Sequence, residues 1–127
     1  MSLLLLFNQV PKLDLESSKI VKRLREQVSS NSINWTGIEE RGNSDPEILE
    51  KTRGAIYEIK ILIERTKLTN VEKARAIAIA NALQALIESP EPEWKAILLL
   101  LSSPALNNVM AMANILLLVF QLFGLGN

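Results

Sequence analysis

The stretch DPEILEKTRGAIYEIKILIERTK, residues 45–67, decides the fold class. Asp45 carries the side chain of a helix N-cap, Pro46 suits the first helical position, and Glu47 complements the positive end of the helix dipole. Ile48, Thr52, Ala55, Ile56, Ile59, Leu62, Ile63 and Thr66 then recur at helical spacing and share one face. Glu47 and Lys51 add an i,i+4 ion pair of about 0.3 kcal/mol. The stretch reads as a long amphipathic helix with one face committed to a core.

One detail departs from that pattern. Tyr57 and Ile61 project from the charged side of the same helix, with Gly54 about one turn before them and Leu68 about two turns after. A glycine lets another backbone approach closely. This second stripe has three candidate covers: a partner chain, the segment 29–44, or the N-terminal segment. Tyr57, Ile61 and Leu68 are therefore the first candidate partner contacts.

Working outward, residues 13–29 form a second amphipathic stretch. Leu13, Ile20, Val21, Leu24 and Val28 fall in one arc, and Lys19, Lys22, Arg23 and Glu26 face away. Residues 29–44, SSNSINWTGIEERGNS, are rich in Ser, Asn and Gly and read as a loop pinned by Trp35 and Ile38. On the far side, NVEKARAIAIANALQALIES reads as a helix capped by Asn70 and apolar around most of its circumference, hence central and buried. Ala74, Ala78, Ala82 and Ala85 give it a shallow face for a close neighbour. Pro90 and Pro92 end it, and Glu91 and Glu93 favour the start of a short helix, WKAILLLLSS. A further helix is expected over about 104–123, ended by Gly124 and Gly126.

Residues 96–127 carry no charge, although fourteen basic and fourteen acidic residues lie between Lys12 and Lys95. A helix over 105–125 would rise about 31 Å, close to the thickness of a bilayer core. Against a span stand Asn107, Asn108, Asn114 and Gln121, the break at Pro104, and the lack of flanking cations. The leading expectation is burial in the bundle core or in a homo-oligomer interface, with Leu116, Val119, Phe120 and Phe123 as candidate contacts. Membrane association and docking into a different protein are the alternatives.

Composition excludes several kinds of chemistry. The chain has 127 residues, enough for one domain with a real core, and its charges cancel. Without a basic excess, nucleic acid is not an expected partner. Without cysteine or histidine, thiolate sites, histidine metal ligands and a conventional serine triad are out of reach. No phosphate loop, dinucleotide fingerprint or metal-ligand spacing occurs. The adjacent acids Glu39 and Glu40 read as solvated, and GNSDPE (42–47) reads as a capped turn. The opening MSLLLLF lacks a signal-peptide pattern and reads as an apolar segment, 1–11, docked on the body.

The expectation is thus a single all-α domain, 1–127: a compact bundle of four to five helices with an Ala-rich central helix and a strongly apolar C-terminal helix pair. The expected function is non-enzymatic, with no cofactor and no metal, through helix-face contacts with protein, either a copy of itself or a larger partner. The expected compartment is the cytoplasm, with membrane association through 96–125 as the alternative.

Overall fold

The computed structural model describes residues 19–30 and 32–125 of the chain. The expectations for the 1–11 segment and for Leu13 lie outside the described residues. Among the described residues the structure is all-α, with helices joined by short connections and no strand. The described part of α1 covers 19–29. It is followed by α2 (Trp35–Ser44), α3 (Pro46–Arg65), α4 (Asn70–Ile87), α5 (Trp94–Leu101), a 3-10 turn (Pro104–Leu106) and α6 (Met112–Leu122).

Among the described helices α2 to α6, antiparallel α3 and α4 make the broadest contact, α6 lies against α3, and α5 and the 3-10 turn lie against α4. In α3 every core position named from spacing is buried from Ile48 to Ile63. Thr66, the last of the set, is half-buried. It closes the helix with its hydroxyl, which donates to the Leu62 carbonyl at 2.6 Å and accepts the Met110 amide at 2.9 Å. In α1, Val21, Leu24 and Val28 join the same core. Arg25 fastens α1 to the α5–α6 connection by donating from Nε to the Ser102 carbonyl (2.8 Å) and from Nη2 to Asn107 Oδ1 (3.0 Å).

The structure corrects four expectations. Residues 35–44 are helix rather than loop. The Asn34 side chain accepts the Gly37 amide at 3.0 Å, and Trp35, Ile38 and Gly42 recur at helical spacing on the inward side. Local polarity was outweighed by one cap and three inward positions. The N-cap of α4 is Thr69, not Asn70. Its hydroxyl accepts the Glu72 amide, and Glu72 Oε1 in return accepts the Thr69 amide. Those bonds, backbone first, hold the Glu72 carboxyl below the ordinary carboxylate range.

The third correction concerns the alanine face of α4. Ala76, Ala80, Leu83 and Ile87 are buried, whereas Ala74, Ala78 and Ala85 are exposed and Ala82 is half-buried. Among the described residues its neighbours pack on the Ala76, Ala80, Leu83 and Ile87 side, and the shallow face looks outward. Fourth, the helix expected over 104–123 is broken. Ser103 caps the 3-10 turn through the Ala105 amide, and Ala111 stands at φ 59° immediately before α6. The chain therefore turns between 107 and 111 and starts afresh. Gly124, at φ 73°, closes α6 with paired bonds from Gly124 N to Gln121 O and from Leu125 N to Phe120 O.

That break bears on the membrane alternative. The two apolar helices, α5 and α6, have 8 and 11 residues. At about 1.5 Å per residue neither approaches the roughly 30 Å of a bilayer core. Among the described residues no helix is long and apolar enough to cross a membrane.

Candidate functional site

The candidate contact residues separate into two groups. Leu116, Val119, Phe120 and Phe123 are 0–7% exposed and belong to the chain's own core. Phe123 packs on Trp94 with ring centroids 5.3 Å apart and a 60° tilt. These four side chains are spent on holding α5 and α6 inside the bundle, so they correct the expectation of a contact surface on the tail. The asparagines that interrupt the tail sit at its rim. Asn107 accepts from Arg25, Asn108 donates to the Glu72 carboxylate, and Asn114 is exposed.

In the second group Tyr57 and Ile61 lie on the outer face of α3, whereas Leu68 lies past its end, in the connection to α4, and packs against the core. Tyr57 is 67% exposed, while Ile61 and Leu68 are half-buried. Of the three candidate covers, residues 32–44 are removed, because α2 packs on α3 without covering Tyr57. Gly54 is exposed in mid-helix, and a Cβ built there would meet nothing within 4 Å. An interior helical glycine costs about 1 kcal/mol relative to alanine. Nothing in the described chain offsets that cost at Gly54.

Charges frame the stripe. At its N-terminal end Lys51 pairs with Glu47 at 2.8 Å and Arg53 with Glu50 at 2.6 Å. On the side facing α4, Lys73 pairs with Glu64 at 3.0 Å, and Lys60 donates to Gln84. On the opposite flank Glu58 and Arg65 have no ion-pair or hydrogen-bond partner among the described residues. The outer face of α3 is thus a short aromatic and aliphatic ridge with a gap at Gly54 and one unpaired charge of each sign.

A glycine on α2 has a different environment. Gly42 lies under the Trp94 indole, where a Cβ would fall 2.3 Å from Nε1. The same indole donates to Asn43 Oδ1 at 3.2 Å. Glu39, one turn earlier, is not a solvated acid as expected. Its carboxylate accepts the Trp94 amide (3.2 Å) and the Lys95 amide (2.9 Å), and so caps α5 from another helix. Sequence reading missed this joint, although Glu39, Gly42 and Asn43 fall at i, i+3 and i+4.

A groove of about 290 Å³ lies between the start of α2 and the C-terminal turn, with Ile33, Ile38, Phe123 and Leu125 along it and Arg41 as the single ionisable side chain among the described residues that line it. Comparison of the chain with protein-family models, curated proteins and solved structures yields no match.

Proposed function

We propose that the protein is a helix-face self-association module whose contact surface is the outer face of α3. The observation that supports this most directly is the pairing of an exposed Tyr57 with an exposed mid-helix Gly54 that has empty space where a side chain would stand. Aromatic side chains dominate the energetics of protein contacts because they bury a large rigid area with little loss of rotamer freedom. A neighbouring glycine lets a second backbone come close enough to use that area. The stripe is one helix long, which sets the contact at the small, weak end of protein interfaces. Association is therefore reversible and concentration-dependent.

Light scattering of the full chain over a concentration series tests this reading. Mass rises with concentration for the wild type and stays at the monomer value for the Tyr57→Asp, Ile61→Asp double variant. Equal masses for the two proteins at every concentration would remove the α3 face from the function. A monomer at every concentration whose Tyr57 is nonetheless shielded from solvent would point to cover by the chain's own N-terminal segment.

A further inference from the structure

We infer that the groove between the start of α2 and the C-terminal turn is the seat of the chain's own apolar opening, LLLLF, residues 3–7. This goes beyond the self-association reading and does not rest on it. Ile38 and Phe123 form buried parts of the groove wall, whereas Ile33 and Leu125 are only half-buried. Among the described residues that line it, Arg41 alone is ionisable, and it is exposed. Such a groove suits an occupant that is apolar and uncharged. Residues 3–7 are apolar without interruption, and the first charged side chain of the sequence is Lys12. The Tyr57 stripe suits the same segment less well. An uncharged segment laid there would draw Glu58 and Arg65 out of water while offering neither a partner.

Chain length agrees with this choice. Gln27, near the end of α1, lines the groove, and Lys19 lies about 12 Å back along the helix. If the α1 pattern runs back to Leu13, as its spacing predicts, that start lies about 21 Å from Gln27. Extended chain covers about 3.3 Å per residue, so Phe7, six residues before Leu13, comes back about level with Gln27. Residues 3–6 then reach the groove beyond it. The seat would join the end of α1, the start of α2 and the turn after α6, and would leave the outer face of α3 open to a partner.

Paired cysteines test the seat, because the chain has none of its own. Leu3→Cys, Leu4→Cys, Leu5→Cys and Leu6→Cys are each combined, in the full chain at monomer concentration, with Ser32→Cys beside the groove or with Tyr57→Cys on α3. Ser32 and Tyr57 are both exposed, so neither replacement disturbs the core. A bridge needs Cα atoms about 4.4–6.8 Å apart, and scanning four positions covers both faces of the segment. Under mild oxidation the best Ser32→Cys pair closes an intrachain bridge at least tenfold faster than the best Tyr57→Cys pair, read by peptide mass mapping. Adding Ile61→Asp changes the Ser32→Cys rate by less than about twofold, since the seat does not use α3. Equal rates for the two sets, a faster Tyr57→Cys set, or a bridge found only between two chains would overturn the seat. The first and third of these leave the α3 reading standing, whereas a faster Tyr57→Cys set would remove that reading as well.

Discussion

Two glycines, each inside a helix, divide the molecule into a closed region and an open one. Gly42 sits where α2 meets α5, and the indole of Trp94 occupies the volume its side chain would need. Gly54 sits on the back of α3 with open space around it. Each weakens its helix by a similar amount, so the residue type alone says nothing about its use. In the first case the benefit lies inside the chain, in a fully buried tryptophan whose ring nitrogen reaches Asn43. In the second, no benefit is found among the described residues, and so the outer face of α3 is where a second molecule is sought.

Substitutions can break or sharpen this contrast. Gly42→Ala drives a methyl group into Trp94 and is expected to lower the unfolding free energy by about 3 kcal/mol, the upper part of the overpacking range. A loss under about 0.5 kcal/mol in urea denaturation would show that the joint is loose. Glu39→Ala removes the acceptor for two leading amides of α5, at an expected cost of about 1–2 kcal/mol by the same measurement. Gly54→Ala works in the opposite sense. At a concentration where the chain is monomeric it adds about 1 kcal/mol of stability, because the methyl meets nothing and the helix gains. A destabilisation there would mean that Gly54 is constrained within its own chain. The smallest effect is expected at Ala78 on the outward face of α4, where Ala78→Leu changes stability by less than about 0.5 kcal/mol.

That last expectation reverses what the sequence suggests, and the reason is instructive. A helix with apolar residues all round reads as one buried all round, but alanine contributes too little area for its exposure to be costly. The Ala74, Ala78 and Ala85 side of α4 can stay in water without penalty. Where the apolar residues are large and regularly spaced, as in α3, spacing named the core positions from Ile48 to Ile63 correctly. Composition misled over 35–44, because the polar residues that suggest a loop are the ones that make the joint: Asn34 caps α2, Glu39 caps α5, and Asn43 holds the indole. The partners of Glu39 and Asn43 lie more than fifty residues away in Trp94 and Lys95, beyond the reach of any local pattern. The tail was legible as apolar and internal. Its break at 107–111 depends on a left-handed backbone at Ala111, a residue with no local preference for that conformation. Of the candidate contacts, Tyr57 stood out by its position on a charged face. The phenylalanines of α6 and the turn after it were marked only by their hydrophobicity, which serves a core as readily as an interface.

The cap that Glu39 provides also bears on how the chain opens. The leading amides of α5 have their acceptors on α2, so loosening residues 35–44 unmasks the Trp94 and Lys95 protons even if α5 stays wound. Deuterium exchange at those two amides therefore reports the undocking of α2, and should share its rate with the buried amides of that helix rather than with the rest of α5.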